Sequence, residues 1–320
     1  MMEVVRLEAA SAPRWPRPSV AVGNFDGVHR GHQALVGSAV TAAAASGGTA
    51  VVLTFDPHPA RVIAPEAAPS ALMTLGQKSA TLVRLGVPVM AVLPFTPDVA
   101  GASPEDFAAR VLHRALGADT VVVGTNFRFG RGRAGDVGTL RRQGESLGFR
   151  VVEVAPVVVD GERVSSSRIR EALARGDAGA AAALLGRPHC IEGRVVPGDG
   201  RGRTIGVPTA NLEPANETLP ALGVYAAWCW PGRARAGTPA VVNIGRRPTF
   251  GGGAVSVEAH LLDFAGHLYG EAMSLSFVSR LREERMFPGV DALVAQIHED
   301  IRAARHALAG APPASPWDGL

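Results

Sequence analysis

The most informative stretch for the fold of the first half of the chain is residues 23–32. They read Gly23-Asn24-Phe25-Asp26-Gly27-Val28-His29-Arg30-Gly31-His32. They follow the apolar run 19–22 and open a candidate helix at 31–45. A glycine-bearing turn from a buried strand into a helix presents backbone N–H groups and the positive helix end, where a phosphate binds. His29 and His32 flank Gly31, so we expect their imidazoles to donate hydrogen bonds to that phosphate. The structural alternative is a surface loop with incidental histidines.

Short valine-rich runs alternate with helical stretches in the rest of this half. Unbroken apolar runs of this length are typical of strands buried on both faces of a parallel sheet. The runs lie at 19–22, 50–54, 87–93, 120–123 and 151–154. The candidate helices lie at 31–45, 77–85, 103–116, 137–147 and 166–174. We therefore predict a doubly wound, Rossmann-like α/β domain with a parallel sheet, whose ligands lie beyond the carboxyl ends of the strands.

The pattern changes near residues 185–189, where short segments broken by Gly and Pro begin. These segments, at 191–196, 223–230, 240–244, 255–262 and 273–278, predict an antiparallel barrel or a sandwich. A helix at 290–308 follows, and its apolar positions 293, 297, 301 and 304 are spaced to pack on the barrel. For 320 residues this organisation predicts two domains, 1–186 and 187–320.

Lysine is almost absent from the chain. Lys78 is the single lysine, so 31 of the 32 lysines and arginines are arginine. This composition excludes a GxxxxGK[ST] phosphate loop and argues against Schiff-base chemistry. The net charge of +3 is spread over the whole length, so we expect small anionic ligands and no nucleic acid.

The composition also predicts where the protein works. Cys190 and Cys229 lack CxxC spacing, so neither a zinc cluster nor a disulfide scaffold is expected. No apolar run approaches the 18 residues of a membrane span, and residues 1–18 carry charges and prolines where a signal peptide needs an apolar core. We expect a cytoplasmic monomer or weak homo-oligomer with no membrane partner.

A second phosphate cradle is predicted at Ser165-Ser166-Ser167-Arg168-Ile169-Arg170. Hydroxyls and N–H groups at a helix N-terminus, followed by guanidinium groups, match the oxygens of a phosphate. Helix capping alone would also explain the serines. Residues 54–59 and 123–130 end the second and fourth predicted strands, so we expect them at the same edge of the sheet.

The second half carries its own glycine-rich segment at 198–211. Its glycines, Gly202 among them, allow a phosphate to approach the backbone closely, beside Arg203. The Thr209 hydroxyl and the Asn211 amide oxygen that follow are able to ligate Mg²⁺. Ordinary turns use the same residues. Glu258 is the one acid on an otherwise apolar strand, and such an acid is either paired structurally or functional.

These strings resemble a known family. HRGH at 29–32 followed by SSSRIR at 165–170 looks like the HxGH and ISSTxIR pair of the nucleotidylyltransferase superfamily. The strings GNFDGVHRGH, TFDPHP and VGTNFRFG are similar to the FMN adenylyltransferase module of the prokaryotic bifunctional riboflavin kinase/FAD synthetases. Over residues 20–185 the resemblance implies adenylyl transfer from ATP to FMN, giving FAD and pyrophosphate by direct in-line attack with Mg²⁺.

The same resemblance implies roles for individual residues. His29 and His32 would stabilise the ATP phosphates. The other residues implied on the nucleotide side are Gly23, Phe25, Asp26, Gly31, Ser165, Ser166, Ser167, Arg168 and Arg170. Asn126 lies at the loop position linked to magnesium and phosphate. The residues implied on the flavin side are Asp56, Pro57, His58, Phe127 and Arg128.

Residues 187–305 are similar to the riboflavin kinase module. The shared strings are PTAN, NIGxRPTF, VEAHLLDF, Leu-Tyr-Gly at 268–270 and Leu-Arg-Glu-Glu at 281–284. The resemblance implies an antiparallel barrel in which Thr209 and Asn211 contact Mg²⁺ and ATP phosphates. Glu258 would deprotonate the ribityl 5′-hydroxyl, and Arg282 would serve the flavin pocket. His267 departs from the family pattern, which usually has an acid there.

The predicted function is a two-step synthesis of FAD on one chain. ATP phosphorylates riboflavin to FMN, and a second ATP adenylylates FMN. One alternative is that only one module is active, with His267 marking a degenerate kinase. Two others are a flavin- or nucleotide-responsive binding protein without turnover and an arginine-mediated RNA binder, for which a steep salt dependence is expected.

Overall fold

The computed structural model describes residues 2–7, 15–198, 200, 202, 205–232, 234–246, 255–310, 312–313 and 315–316. The described chain forms two compact units. The sheet unit contains Met1–Ser70 and Leu75–Val164, and the barrel unit contains Ala71–Thr74 and Ser165–Asp318. The units therefore divide before residue 165, and the boundary predicted between the two catalytic modules, after residue 186, stays a prediction.

A parallel sheet forms the centre of the sheet unit. Its strands pair in parallel in the order β1-β4-β3-β2-β5-β6. They are β1 (Glu3–Arg6), β2 (Ser19–Val22), β3 (Ala50–Asp56), β4 (Val89–Pro94), β5 (Thr120–Gly124) and β6 (Arg150–Val154). The residues of β2, β4 and β5 are almost all buried, which explains their unbroken apolar sequences. A short antiparallel ladder joins β7 (Val158–Val159) to β8 (Glu162–Arg163).

Helices connect the strands of this sheet. They are α1 (Arg30–Ser46), α2 (Pro59–Ile63), α3 (Leu75–Arg84), α4 (Pro97–Gly101), α5 (Pro104–Phe107) and α6 (Val137–Leu147). The chain continues from α5 as a π-helix over Ala108–Ala115. Ser103 caps α5 by accepting a hydrogen bond from the Asp106 N–H at 3.0 Å, and serine is one of the residues favoured at this position.

The order of the strands positions a ligand site. From β2 the chain places β3 and β4 on one side, and then places β5 and β6 on the other side of β2. In such sheets ligands bind outside the carboxyl ends of the strands at the point where this order reverses. Here that point lies between the ends of β2 and β5, after Val22 and Gly124.

The barrel unit contains a closed antiparallel barrel with the strand order β10-β13-β12-β11-β14-β9. Its strands are β9 (His189–Val196), β10 (Ala210–Pro214), β11 (Gly223–Pro231), β12 (Thr238–Arg246), β13 (Val255–Leu261) and β14 (Ala272–Arg282). Side chains alternate between the two faces of a strand. On β13, Val257, Ala259 and Leu261 belong to the buried apolar core. Glu258 and His260 therefore lie on the outer face of the barrel.

Three helices complete the described barrel unit: α7 (Ser166–Ala174), α8 (Ala178–Leu185) and α9 (Val290–Ala307). α8 packs on β9 and β14, and α9 packs on β11, β12 and β14. The predicted packing of the C-terminal helix is confirmed, since Ile301 and Ala304 pack in one cluster with Val224 and Trp228. Residues Ala71–Thr74 also belong to this unit, where Thr218 N–H donates to the Ala71 carbonyl at 3.2 Å.

The predicted fold class is confirmed: a parallel sheet with helices precedes an antiparallel barrel and a C-terminal helix. The sandwich alternative is wrong, because β9 pairs with both β10 and β14 and so closes the barrel. The prediction missed the strands β1, β7, β8 and β10 and the helices α2, α4 and α8. Throughout the described ranges, no helix combines the length and the apolar character that a membrane crossing requires.

Candidate active sites

The turn after β2, residues 23–29, has a constrained backbone and is called here the histidine turn. Phe25, Gly27 and Val28 have φ angles of 50°, 82° and 40°, in the left-handed region that L-residues rarely adopt. Phe25 and Val28 are fully buried, so their side chains anchor the turn at two points. Non-glycine residues keep left-handed backbone angles only where the surrounding structure holds them, and such residues cluster at functional sites.

His29 and His32 lie together at the start of α1. His29 is the N-cap of the helix, and its Nδ1 accepts a hydrogen bond from the His32 N–H at 3.3 Å. In a neutral ring Nε2 then carries the proton, so that edge of His29 is a donor. The two rings stack with centroids 3.6 Å apart and an interplanar angle of 13°. A Cβ on Gly31 would come within 3.2 Å of the His29 ring, so glycine leaves room for the stack.

Other predicted residues adjoin this turn. The Phe25 ring lies 5.2 Å from the His32 ring, and a Cβ on Gly23 would come within 3.3 Å of the Phe25 ring. Asp26 is buried with an exposure of 7%. The structure therefore brings together predicted residues of the histidine turn and the first turn of α1: Gly23, Phe25, Asp26, His29, Gly31 and His32.

The residues predicted at the end of β3 lie at the same edge of the sheet. His58 caps α2, because its Nδ1 accepts from the Ala60 N–H at 3.1 Å. Its Nε2 lies 3.0 Å from the side-chain amide nitrogen of Asn24 in the histidine turn. Asp56, which precedes Pro57, forms an ion pair with Arg6 at 2.7 Å. Asn24 and His58 thus join the ends of β2 and β3.

The predicted residues after β5 differ in their surroundings. Asn126 is exposed. The Phe127 ring stacks on the buried Phe129 with centroids 5.4 Å apart. Arg128 pairs with Asp136, the N-cap of α6, at 3.2 Å. The Thr139 N–H, with the Thr139 hydroxyl and Arg128, holds the pKa of Asp136 below its usual range.

Two polar residues near the histidine turn were given no role by the sequence analysis. Thr54 Oγ1 and Lys78 Nζ both donate to the Asn24 carbonyl, at 3.0 and 2.8 Å. Lys78 had served only to exclude lysine chemistry. The sequence did contain a signal for Lys78, because it is the single lysine in a chain whose other basic side chains of this kind are arginine.

The predicted serine cradle forms the start of α7 in the barrel unit. Ser165 is the N-cap, and its hydroxyl accepts from the Arg168 N–H at 3.3 Å. Ser166 and Ser167 occupy the first turn, and Ile169 is fully buried. Capping is therefore one role of Ser165, as the structural alternative held.

A cavity of about 330 Å³ lies on the outer face of the barrel against α9, and we call it the barrel pocket. Its lining includes Gly202, Val207, Thr209, Asn243, Glu258, His260, Arg282, Leu293 and Asp300. Glu258 on β13 lies directly opposite Asn211 on β10 and Asn243 on β12. Side chains at such positions are neighbours, so the carboxylate lies between two amides.

The loop that carries Thr209 is held beside this pocket. His260 Nδ1 lies 2.8 Å from the Pro208 carbonyl, to which it donates. A Cβ on Gly202 would meet the Thr209 hydroxyl at 3.3 Å, and a Cβ on Gly198 would overlap the Asn211 amide. The predicted Arg203 lies outside the described residues. The sequence analysis gave Asn243 and His260 no role, although an amide on an apolar strand was a visible signal.

Arg282 lies in the wall of the barrel pocket. Its guanidinium donates to both carboxylate oxygens of Asp300 on α9, at 2.8 to 3.1 Å. Asp300 also accepts from Gln296 at 2.8 Å. Phe287 lies 5.5 Å from the guanidinium carbon, in a cation–π contact. Arg282 therefore connects β14 to α9 in the wall of the pocket.

Comparison with known proteins assigns the chain to a family. A FAD synthetase model matches residues 12–168, and a riboflavin kinase model matches residues 185–308. A curated relative from Pseudomonas fluorescens, named bifunctional riboflavin kinase/FMN adenylyltransferase, is 41% identical over 291 residues. The match covers 89% of this chain and 91% of the relative. The chain belongs to this family.

Two further comparisons also place this chain in the riboflavin kinase/FMN adenylyltransferase family. A protein of the same name from Escherichia coli K12 is 37% identical, covering 92% of this chain and 94% of the relative. A crystal structure described as a macrolide-efflux protein from Streptococcus pneumoniae has a TM-score of 0.85 and 32% identity. It covers 95% of this chain and 99% of that one. The family resemblance stated from the motifs is thus confirmed over both halves.

Proposed function

We propose that this chain makes FAD in two ATP-dependent steps at two separate sites. It is a bifunctional enzyme with riboflavin kinase and FMN adenylyltransferase activities. Riboflavin and ATP give FMN and ADP, and FMN and a second ATP give FAD and pyrophosphate. The first step belongs to the barrel pocket and the second to the histidine turn, with the modules dividing as residues 1–186 and 187–320.

At the histidine turn, a phosphate oxygen of FMN attacks the α-phosphorus of ATP. A new P–O bond forms as the bond to the β-phosphate oxygen breaks, and pyrophosphate leaves. His29 and His32 donate hydrogen bonds to the oxygens on which charge develops. Their parallel stack at the N-terminus of α1 supports this role, because the helix end adds N–H donors and a positive potential.

The remaining residues of this site are assigned by their chemistry. Ser165, Ser166 and Ser167, with Arg168 and Arg170, hold the β- and γ-phosphates. Gly23, Phe25, Asp26 and Gly31 shape the turn, and Asn126 serves the magnesium and phosphate region. The flavin side is formed by Asp56, Pro57, His58, Phe127 and Arg128. The hydrogen-bond distance between Asn24 and His58 supports a link between the flavin side and the histidine turn.

In the barrel pocket, Glu258 orients the ribityl 5′-hydroxyl and accepts its proton as that oxygen attacks the γ-phosphorus of ATP, releasing ADP. Phosphoryl transfer depends mainly on positioning and charge neutralisation, so the base need not be strong. Asn211 and Asn243 flank Glu258 across the strands and support its orientation. Gly202 and Arg203 belong to the nucleotide side, and Arg282 shapes the flavin pocket.

Magnesium fits the donor groups of the barrel pocket. The Thr209 hydroxyl and the Asn211 amide are hard oxygen donors next to glycines that leave space for phosphates. Among the described residues no group of three His, Cys, Asp or Glu side chains could hold a metal, so the ligands proposed here are Thr209, Asn211 and ATP oxygens. When bound, Mg²⁺ neutralises phosphate charge.

One observation carries this proposal: the histidine turn in the sheet unit and the barrel pocket in the barrel unit each bring together groups for phosphate chemistry. The test incubates the enzyme with riboflavin, ATP and Mg²⁺ and separates riboflavin, FMN and FAD by chromatography. We expect FAD, and we expect both steps to stop when the metal is chelated. If riboflavin remained unchanged, the result would contradict the proposed enzymatic activity and favour a binding protein without turnover. FMN as the final product would show that only the kinase is active.

A further inference from the structure

Lys78 occupies an unusual position for a lysine. It lies on α3, within the sheet unit, and only 8% of its surface is exposed. A buried ammonium loses its hydration, and lysine is rarely buried unless it is paired. In a chain with 31 arginines, the single lysine occupies this interior position.

The ammonium of Lys78 is bound to the histidine turn. Nζ donates to the Asn24 carbonyl at 2.8 Å and to Thr54 Oγ1 at 3.1 Å. Thr54 Oγ1 in turn donates to the same Asn24 carbonyl at 3.0 Å. These three groups form a closed triangle that fixes one carbonyl between the ends of β2 and β3.

The charges around Lys78 favour its ammonium form. Burial lowers the pKa of Lys78, while the carboxylates of Asp26 and Asp56 oppose that shift. Asp26 belongs to the turn that follows β2, and Asp56 is the last residue of β3. The positive charge is therefore surrounded by groups of the adenylyltransferase site, although Lys78 itself comes from a helix that the proposed chemistry does not use.

Arginine does not reproduce this arrangement. Lysine carries a compact charge with three rotatable donors, whereas the guanidinium is a larger planar fork suited to bidentate partners. The acceptors here are one carbonyl and one hydroxyl that already bond to each other. This geometry explains why a chain so rich in arginine keeps lysine at this position.

The histidine turn needs such an anchor. Phe25 and Val28 each have a left-handed backbone, which costs about 1 kcal/mol or more per non-glycine residue. Their buried side chains hold the middle of the turn, and the Asn24 carbonyl lies at its start. A turn released at Asn24 would relax toward ordinary φ angles and shift His29, which begins α1.

We propose that Lys78 is a positioning residue for adenylyl transfer: its ammonium fixes the Asn24 carbonyl and, through the histidine turn, the place of His29 and His32. This inference rests on the proposed function of those histidines. Lys78 acts through the turn and does not itself touch the phosphates.

The test compares Lys78→Met and Lys78→Arg with wild type, supplying FMN and ATP and measuring FAD. Both variants should lower kcat by about 10²-fold with little change in KM for ATP, the cost typical of displaced catalytic groups. Riboflavin phosphorylation by the same samples should be unchanged. Full activity in Lys78→Arg would overturn the proposal, because it would show that charge alone is needed.

Two further variants separate positioning from simple destabilisation. Thr81→Val removes a different buried polar group from α3, the Thr81 hydroxyl, which donates within the helix to the Gln77 carbonyl. This variant should leave FAD synthesis unchanged. Thr54→Val removes the two hydrogen bonds of the triangle that involve Thr54 but keeps the one from Lys78 to the Asn24 carbonyl, and should lower kcat by several-fold. Equal losses in Thr81→Val and Lys78→Met would mean that any damage to α3 suffices, which contradicts the proposal.

A double variant tests the route of the effect. If Lys78 acts through the histidines, Lys78→Met added to His32→Ala should cause no further loss, because groups that act as a unit are not additive. Losses that multiply would overturn the inference. If His32→Ala alone retains FAD synthesis, the proposed function fails. If that variant is inactive while Lys78→Met is fully active, only this inference fails.

Discussion

The histidine turn and the barrel pocket are assembled from the sequence in opposite ways. The turn is seven consecutive residues at the end of one strand, and the rings of His29 and His32 stack because α1 begins there. The pocket places Asn211, Glu258 and Asn243 side by side from three different strands. A parallel sheet thus concentrates its chemistry at strand ends, while a barrel collects it across strands by register.

This contrast predicts that damage to one site leaves the other site active. The turn depends on local backbone geometry within the sheet unit, and the pocket depends on pairing within the barrel unit. Variants at the histidine turn should therefore leave riboflavin phosphorylation intact, and variants at the barrel pocket should leave adenylyl transfer intact. The predictions below test that independence, from the largest expected effect to the smallest.

His32→Ala should lower FAD formation from FMN by about 10³-fold, since it removes a donor to the charge that develops on phosphate. FMN formation from riboflavin should be unchanged. Chromatography of the products measures both. His113→Ala, an exposed histidine of the same unit, is the matched control and should have no effect. Loss of both reactions in His32→Ala would contradict the independence of the sites.

Glu258→Gln should have the opposite effect. FMN formation should fall by about 10³-fold because the amide cannot accept the hydroxyl proton, while FAD formation from supplied FMN continues. Glu213→Gln on the neighbouring β10 replaces an exposed acid and serves as the control. A variant that still phosphorylates riboflavin at the wild-type rate would assign Glu258 a structural role only.

Asp300→Asn should destabilise the barrel unit by about 3 kcal/mol, because it leaves the partly buried Arg282 without its carboxylate. The KM for riboflavin should rise, since this pair connects α9 to β14 beside the pocket. Urea unfolding followed by tryptophan fluorescence reports the effect, as Trp228 and Trp230 are buried in β11. An equal loss of FAD synthesis from FMN would show that the two units do not respond independently.

His189 should make the stability of the barrel unit depend on pH. Burial lowers its pKa from 6.5 to about 4, and its Nε2 lies 3.2 Å from the Thr218 carbonyl. Between these values the unfolded chain binds a proton that the folded chain does not. Stability is therefore complete above pH 6.5 and falls by up to about 3 kcal/mol as the pH drops to 4.

The measurement is urea unfolding at pH 7 and pH 5, comparing wild type with His189→Gln. The glutamine keeps a donor for the Thr218 carbonyl but does not titrate, so the wild type should lose more stability than the variant at the lower pH. The same loss in both proteins would assign the pH dependence to other groups.

The comparison also explains what the sequence could predict. The histidine turn was found because its residues are contiguous and its strand is a short apolar run. Glu258 was found as one acid on an apolar strand, but its partner Asn243 was not given a role. Cross-strand neighbours depend on register, which a single strand's sequence does not contain.

The missed elements have physical reasons as well. β1 is a short edge strand whose residues are mostly exposed, so it lacks an apolar run. α8 is a nearly uniform run of alanine and leucine with no polar face to show helical periodicity. The sequence analysis used Lys78 only to exclude lysine-dependent chemistry. Its contacts with Asn24 and Thr54 could not be predicted, because they join residues far apart in the chain.

The central claim is that one chain makes FAD at two independent sites. The most direct test measures ADP and pyrophosphate released from riboflavin and ATP. Wild type should release one of each per FAD formed. His32→Ala should release ADP with FMN but no pyrophosphate, and Glu258→Gln supplied with FMN should release pyrophosphate but no ADP. Pyrophosphate from His32→Ala, or loss of both products in either variant, would contradict the account.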